Sequence, residues 1–285
     1  MTLLKSIILG LVQGLAEFLP ISSSGHLVLV QTLFNFEDGG DLFFDVLLHL
    51  GTLASIFVVY RSDIADMIRE FFSFFTGVFR RGGSGDSGSA PAPARRMVML
   101  IIIATLPLVM VLPFKDFLEG TRSFPWLVGA ALVITGLLLF TSDRFSRGRK
   151  TERSATWLDA VIVGLMQAVA VIPGISRSGS TISMGVFRGF NRKFAVRFSF
   201  LMSIPAVLGA ALVEFIDAAK SGIDWSLMPV YLVGMAVAAV SGYFAIRLIK
   251  YIADRGRFGW FAFYCWAAGA VTIIVSLVGG SGAAA

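Results

Sequence analysis

The sequence predicts an all-α integral membrane protein with six transmembrane helices and two re-entrant helix–loop–helix hairpins, arranged as an inverted-topology repeat. The 285 residues are 56% hydrophobic and only 15% charged, whereas soluble domains carry about 25% charged residues. Several apolar stretches reach the ~20 residues needed to cross a bilayer. A polar motif also occurs twice at a fixed spacing. We therefore expect one membrane domain over residues 1–285.

Six apolar stretches are predicted to span the bilayer, and each is bounded by polar or charged loops. They are Leu42–Tyr60, Met97–Pro113, Pro125–Thr141, Phe194–Ile216, Leu227–Ile249 and Gly259–Val278. The segment Ile64–Phe79 mixes charged residues with phenylalanines, which favours an amphipathic helix lying in the interface. Residues 80–96 are rich in Gly, Ser, Ala and Pro and predict a mobile loop.

Basic residues are concentrated in the loops 80–96, 144–153 and 247–257. The positive-inside rule places these loops in the cytoplasm. The net charge of +6 therefore reports topology, and we expect no nucleic-acid partner. With this topology the segment 156–190 begins and ends on the inner side, so it is predicted to be re-entrant. The segment 1–36 is predicted to be a second re-entrant hairpin that enters from outside.

A shift of 154 residues aligns Gly10–His26 with Gly164–Ser180. The identical pairs are Gly10/Gly164, Leu11/Leu165, Gln13/Gln167, Ala16/Ala170, Ile21/Ile175, Ser22/Ser176, Ser24/Ser178 and Gly25/Gly179. Three spans follow each hairpin, and an odd number inverts the second half. Repeat 1 is therefore predicted over 1–142 and repeat 2 over 154–278, with the two Ser-x-Ser-Gly loops facing each other near the midplane.

The two loops have the composition of an anion site. Each opens a second half-helix, so each presents backbone N–H groups that have no helical partner. Small residues allow close approach, and Arg177 adds a planar fork that suits phosphate oxygens. The predicted substrate-binding residues are Gln13, Ser22, Ser24, Gly25, Ser176, Ser178, Gly179 and Thr181.

Four residues are predicted to be catalytic: Glu17, Ser23, His26 and Arg177. A carboxylate at membrane depth is usually functional. Beside a phosphate, Glu17 would repel the ligand unless a divalent cation lies between them, so we expect Mg²⁺ or Ca²⁺ with Glu17 as a ligand. Ser23 is the candidate nucleophile on phosphorus, with His26 assisting proton transfer and Arg177 stabilising charge.

Other roles fit the same residues. Arg177 suits a structural counter-ion of Glu17, His26 suits either a helix cap or the nucleophile itself, and His49 suits either a cavity lining or a packing role. A transporter or flippase of a phosphorylated lipid or another anion is the alternative function, because inverted repeats with broken helices are typical of carriers. A purely structural subunit is a third reading, which the intramembrane Glu, His and Arg disfavour.

The stretches Gln13–His26 and Pro173–Thr181 resemble the two signatures of the bacterial undecaprenyl-diphosphate phosphatases, also called bacitracin-resistance proteins. The resemblance covers essentially the whole chain. It implies hydrolysis of undecaprenyl diphosphate to undecaprenyl phosphate and phosphate, which recycles the lipid carrier of cell-wall synthesis, and a dependence on divalent cations. It also implies a site that opens to the periplasmic side of the bacterial cytoplasmic membrane.

Residue by residue, the resemblance implies that Glu17 belongs to the acidic, metal-linked element and that Arg177 binds phosphate. It places Ser23 and His26 at the positions of the nucleophile and the acid/base. Position 13 is Glu or Gln in the family and is Gln here, so Glu17 must carry the charge. The expected partners are a polyprenyl diphosphate and the bilayer, with a homodimer as one candidate oligomeric state.

Overall fold

A computed structural model of the protein describes residues 1–33, 42–79, 93–121, 124–144, 148–256 and 258–280. These residues form twelve α-helices and, within these ranges, no β-strand beyond one isolated bridge. The helices are α1 (Leu3–Phe18), α2 (Ser23–Leu33), α3 (Leu42–Val59), α4 (Arg61–Phe79), α5 (Pro93–Val109), α6 (Lys115–Gly120), α7 (Pro125–Arg144), α8 (Trp157–Val169), α9 (Arg177–Phe187), α10 (Arg192–Ser221), α11 (Met228–Arg255) and α12 (Gly259–Gly280).

The predicted all-α class and the six spans are confirmed. Six helical segments are long and apolar enough to cross a membrane: Leu42–Val59, Pro93–Phe114, Pro125–Arg144, Arg192–Ser221, Trp225–Arg255 and Gly259–Leu277. Their many large hydrophobic side chains that face outward are typical of a lipid-exposed surface. The predicted loop 80–96 falls mostly outside the described residues, at 80–92, and so do residues 34–36 of the first hairpin. Residues 93–96 belong to α5 instead of that loop.

The helices α8 and α9 form a hairpin whose two ends lie together. The backbone N–H of Lys150 donates to the Gly189 carbonyl and that of Asn191 donates to the Lys150 carbonyl, both at 2.9 Å. The 13 residues of α8 rise only about 20 Å, less than the ~30 Å core of a bilayer. The chain therefore returns to the end from which α8 starts.

Asp159 holds these two ends together. Its side chain is fully buried and accepts hydrogen bonds at 2.8 Å from both Lys150 and Arg188. It also completes a capping box with Thr156 at the start of α8. Burial alone would raise the pKa of the Asp159 carboxyl, but the hydrogen bonds from Lys150, Thr156 and Arg188 outweigh burial and lower that pKa to about 2. The carboxylate is therefore charged at neutral pH.

The first helix of each hairpin packs on a span of the other half of the chain, α1 on α11 and α8 on α5. A matched glycine allows both contacts. Gly10 lies against the carbonyl group of Gly234, and Gly164 lies against the carbonyl group of Ala104. Small residues let membrane helices approach to backbone contact. The repeated glycines of the sequence therefore have the same packing role in each half.

Replacing Gly164 by valine should destabilise the protein, because the new side chain would collide with the Ala104 carbonyl, which is backbone and cannot turn away. Overpacking of this kind costs about 1–3 kcal/mol. We expect a clearly lower Tm for the detergent-purified variant. The control is Leu165→Val, one position along the same helix, where the side chain is exposed. Equal Tm values for the two variants would contradict the packing role.

Candidate active site

The two polar loops meet, and matched residues of the repeat make the contacts. The backbone N–H of Gly174 donates to the Ser24 hydroxyl at 3.4 Å, while the Ser178 hydroxyl donates to the Leu19 carbonyl at 3.2 Å. Gly25 lies against Gly174. Ser24 and Ser178 are partners in the repeat, so each loop contacts the other through an equivalent serine.

Ser22 and Ser176 organise the starts of α2 and α9. The Ser22 hydroxyl accepts from the Gly25 N–H at 3.3 Å, and the Ser176 hydroxyl accepts from the Gly179 N–H at 3.1 Å. Both are N-cap interactions. The two caps differ in backbone conformation: φ is +70° at Ser22 and −72° at Ser176. A left-handed serine is uncommon, and backbone conformations of this kind are concentrated at functional sites.

Glu17 is the centre of a cluster built from both halves. Glu17 is buried, with 7% of the residue exposed. Atom Oε2 accepts hydrogen bonds from the Ser23 hydroxyl at 2.7 Å and from the Gln13 amide at 3.2 Å. Atom Oε1 accepts from the Arg177 guanidinium. Four residues singled out in the sequence, three from the first hairpin and one from the second, thus come together.

The matched position in the second hairpin is different. Gln167 is as buried as Gln13, but its amide has no hydrogen-bond partner in the described part of the chain. The reason lies in the sequence, since the residue four positions on is Val171, where the first hairpin has Glu17. The carboxylate is therefore supplied by one hairpin alone, and the second hairpin supplies the arginine.

The bond between Ser23 and Glu17 has a direct chemical meaning. A serine hydroxyl is a weak nucleophile until a neighbouring base accepts its proton. Glu17 is within reach to act as that base, and its orientation is fixed by Gln13 and Arg177. The sequence predicted that His26 assists proton transfer, and in the structure the hydrogen-bond partner of Ser23 is Glu17.

His26 has different partners. Its Nδ1 lies 2.8 Å from the Ser22 carbonyl oxygen, and its Nε2 lies 2.7 Å from the Tyr264 hydroxyl. A carbonyl only accepts, so the proton of a neutral ring is on Nδ1 and Nε2 accepts from Tyr264. Tyr264 was missed in the sequence, although it is the single tyrosine of the last span.

Two further threonines define the second loop. Thr135, in α7, accepts from the Ser176 N–H at 3.0 Å and donates to the Gly174 carbonyl at 3.4 Å. It was missed because nothing distinguishes a lone threonine within an apolar span. Thr181, in contrast, was predicted to bind substrate but lies 2.6 Å from the Ser199 hydroxyl on α10. Its hydroxyl also donates to the Arg177 carbonyl at 2.8 Å, so the side chain links α9 to α10, and its role in substrate binding stays a prediction.

The protein side chains do not fit a resident metal centre. Both carboxylate oxygens of Glu17 already accept hydrogen bonds: Oε2 accepts from Gln13 and Ser23, and Oε1 accepts from Arg177. Within the described residues, no group of three or more His, Cys, Asp or Glu could hold a metal ion. Ca²⁺ takes six to eight oxygen ligands, and Mg²⁺ with few carboxylates depends on water and substrate phosphates. A cation here would need most of its ligands from a bound phosphate.

An apolar groove of about 430 Å³ begins beside the second loop. Val171 and Pro173 form its end at the loop, and its walls are side chains of α5 and α10, among them Leu108 and Pro205. Gly209 on α10 also lines it. The groove therefore offers an apolar path that starts at the polar site.

Comparison with known proteins identifies the relatives of this chain. Residues 6–271 match the family described as "Bacitracin resistance protein BacA". The chain is 40% identical over 279 residues to the undecaprenyl-diphosphatase of Alkaliphilus metalliredigens, covering 98% of this chain and 100% of that protein. It is 41% identical to the undecaprenyl-diphosphatase of Carboxydothermus hydrogenoformans, covering 96% and 98%. The Methanosphaera stadtmanae protein of the same name is 41% identical, covering 97% and 99%.

Proposed function

The chain belongs to the bacitracin resistance protein BacA family, and we infer that it is a membrane phosphatase that removes the terminal phosphate of undecaprenyl diphosphate. The product, undecaprenyl phosphate, is the lipid carrier recycled for cell-wall synthesis. The observation that carries this inference is the hydrogen bond of 2.7 Å from the Ser23 hydroxyl to Glu17, with Arg177 of the other hairpin on the same carboxylate. The three residues proposed as nucleophile, base and phosphate-binding group thus lie together in a chain with six apolar helices long enough to span a membrane.

Binding is the first step. The negative charge of the diphosphate competes with Glu17 for Arg177, whose planar fork pairs well with two phosphate oxygens. The first-turn N–H groups of α2 and α9 supply further donors, since they have no partners within the helix. Release from Arg177 makes Glu17 a stronger base, so substrate binding itself prepares Ser23.

Ser23 then attacks the terminal phosphorus. Its proton passes to Oε2 of Glu17, the Oγ–P bond forms, and the bond from phosphorus to the bridging oxygen breaks. The bridging oxygen leaves with the electron pair as part of undecaprenyl phosphate. Arg177 stabilises the negative charge on the transferring group.

Water completes the cycle. Its oxygen bonds to the phosphorus of the phosphoserine, the Oγ–P bond breaks, and Glu17 returns its proton to Ser23. Phosphate leaves with both protons of the water. His26 and Tyr264 form a second proton-carrying pair beside the first loop, suited to relay a proton to the departing phosphate.

The divalent cation remains a proposal. Mg²⁺ or Ca²⁺ would enter the site bound to the diphosphate, with Glu17 as the nearby carboxylate, and would neutralise part of the substrate charge. The chemistry of Ser23, Glu17 and Arg177 described above uses only groups of this chain. Such a cation would be stoichiometric with bound substrate and would be removed with it.

The hairpins are proposed to be re-entrant and related by an inverted repeat. The joined ends of the α8–α9 hairpin support a segment that enters and leaves on one side. The reciprocal contacts of Gly10 and Gly164, and of Ser24 and Ser178, support a two-fold relation between the halves. We propose that the site opens to the periplasmic side of the bacterial cytoplasmic membrane. The homodimer also stays a prediction, which the mass of the purified protein in detergent tests.

Phosphatase activity is tested directly with the purified protein. We expect release of inorganic phosphate from undecaprenyl diphosphate in detergent and in liposomes. A carrier is the second candidate, because broken helices that meet between two halves are typical of carriers. Movement of the intact diphosphate across a liposome membrane without phosphate release would favour that carrier.

The prenyl chain of the substrate is proposed to lie in the groove beside Pro173. A long apolar chain gains free energy by leaving polar surroundings in proportion to the area it buries. The groove starts at the loop that would hold the diphosphate and is bounded mainly by apolar side chains of α5 and α10. It is therefore placed to hold the first prenyl units.

Replacing Gly209 by phenylalanine should fill this groove, since no heavy atom outside the backbone of α10 lies within 4 Å of the position a new Cβ would take. Losing about 55 Å² of apolar contact weakens binding by roughly tenfold. We expect KM for undecaprenyl diphosphate to rise by that factor, while KM for inorganic diphosphate, which has no prenyl chain, changes less. The control is Ala236→Phe, which adds the same ring on the exposed face of α11. An equal rise in KM for both variants would contradict the tail site.

A further inference from the structure

A second pocket lies at the end of the molecule where the basic residues collect, away from the Glu17 cluster. Its volume is about 440 Å³, and it is formed where α3 meets α4, opposite the C-terminal half of α11. The lining residues are Val58, Val59, Arg61, Tyr243, Arg247 and Lys250. None of these six residues belongs to the Glu17 cluster or to the two polar loops. The pocket is thus separate from the proposed active site.

Three cations converge on this pocket without a carboxylate between them. An Arg247 nitrogen donates to the Tyr243 hydroxyl at 3.0 Å, and Lys250 lies 4.9 Å from the centre of the Tyr60 ring. In the described part of the chain, Arg61, Arg247 and Lys250 have no ion pair with an aspartate or glutamate. Three positive charges facing one cavity repel one another, so the pocket favours an anion.

Other converging cations at this end are neutralised by the protein itself. Asp159 lies between Lys150 and Arg188, each at 2.8 Å. The nearest acid along the chain from Arg61, Asp63, is bound to Arg197 at 2.6 Å. The pocket differs from these two sites because no acidic side chain is among its lining residues, so an anionic ligand would supply the balancing charge.

The surroundings of the pocket identify the class of ligand. Val58 and Val59 form an apolar wall. Beside it lie the exposed side chains of Phe57 on α3 and Phe244 on α11, on spans that face lipid. Arginine forks and a lysine pair well with phosphate oxygens. Basic pockets between membrane helices on the cytoplasmic side bind anionic lipid headgroups.

We propose that this pocket is a binding site for an anionic phospholipid of the inner leaflet, whose phosphate contacts Arg61, Arg247 and Lys250. One acyl chain would lie along the exposed apolar faces of α3 and α11. The lipid bridges the junction of α3 and α4 to α11, and α11 is the span on which the Glu17-bearing helix α1 packs. A bound lipid therefore stabilises the helix packing behind the active site without entering it.

Titration of the purified protein with short-chain phosphatidylglycerol in detergent tests the proposal, with phosphatidylcholine and inorganic phosphate as comparison probes. We expect binding of phosphatidylglycerol that phosphatidylcholine does not match and that equimolar inorganic phosphate does not displace. Each basic residue near a membrane surface contributes about fivefold in affinity. Arg247→Gln and Lys250→Gln should therefore each weaken binding by about fivefold, and the double variant by about 25-fold.

The matched control is Arg255→Gln, on the same helix and at the same end, whose guanidinium lies over the Tyr251 ring instead of in the pocket. This variant should bind phosphatidylglycerol as the unmodified protein does. Both pocket positions are exposed, so the variants should keep the Tm of the lipid-free protein. Equal weakening by Arg255→Gln would overturn the proposal. So would unchanged binding in the pocket double variant, or displacement of the lipid by inorganic phosphate.

Discussion

Replacement of Ser23 by alanine is expected to lower kcat for undecaprenyl diphosphate by about 10⁴-fold or more, with KM changed only slightly. The variant removes the hydroxyl that, among the described residues, is bonded to Glu17, and it leaves Arg177, the proposed phosphate-binding residue, in place. A loss confined to kcat is the signature of a group that acts in the chemical step. Initial rates of phosphate release over a range of lipid concentrations measure both constants.

The matched control is Ser24→Ala, which removes a neighbouring hydroxyl of the same loop. The Ser24 hydroxyl contacts Ser22 and accepts from the Gly174 N–H at 3.4 Å, so it supports the loop and does not contact Glu17. We expect less than about a tenfold fall in kcat/KM, the cost of one neutral hydrogen bond. Near-normal kcat in Ser23→Ala would exclude Ser23 as the nucleophile.

The covalent intermediate separates Ser23 from His26. After a brief reaction with substrate labelled in its terminal phosphate, acid quenching should leave label on the protein, because a phosphoserine survives acid. Label that is lost in acid but kept in base would assign the nucleophile to His26.

Tyr264→Phe provides a second test of the nucleophile. The variant removes the proton donor to His26 Nε2 and should change the rate of phosphate release only modestly if Ser23 is the nucleophile.

The spans were predictable because the bilayer imposes a simple rule, about 20 apolar residues for each crossing. All six appear, with bounds that differ by a few residues. The loop before α5 was predicted to extend to residue 96, because Arg95 and Arg96 are typical of a polar loop. In the structure both lie in the first turn of the helix. Helix ends at a membrane surface carry basic residues as readily as loops do.

The cluster around Glu17 was partly predictable, because the repeat predicted that the loops carrying Ser23 and Arg177 would face each other, and Gln13 lies one helical turn before Glu17. Their pairing was harder to predict. The partner of Ser23 depends on the turn at Ser22, whose φ of +70° no composition rule predicts. Tyr264 and Thr135 contact the loops from α12 and α7, contacts between residues far apart in sequence that no local pattern reports.

The second large effect is expected from the ion pair of Glu17 with Arg177. Glu17→Gln or Arg177→Gln alone should lower stability by about 3–5 kcal/mol, because each leaves one buried charge without its partner. The side chains are only 6% and 24% exposed. Each should also lower kcat/KM by about 10³-fold or more, since one variant lacks the base and the other the phosphate-binding cation. Tm and phosphate release measure the two effects separately.

The double variant Glu17→Gln/Arg177→Gln distinguishes a catalytic pair from a structural one. It has no unpaired buried charge, so most of the lost stability should return, as coupled residues in a double-mutant cycle do. Activity should stay as low as in the worse single variant. Recovery of activity together with stability would show that Arg177 is only the counter-ion of Glu17.

A surface pair provides the scale for this result. Lys193 and Asp254 lie 3.1 Å apart, with side chains 75% and 52% exposed. Neutralising either one should change stability by less than about 1 kcal/mol, because water screens an exposed pair. The difference between the two pairs follows from burial alone. The loss of activity that remains in the Glu17/Arg177 double variant does not follow from burial. It therefore measures what this pair contributes to the reaction at Ser23.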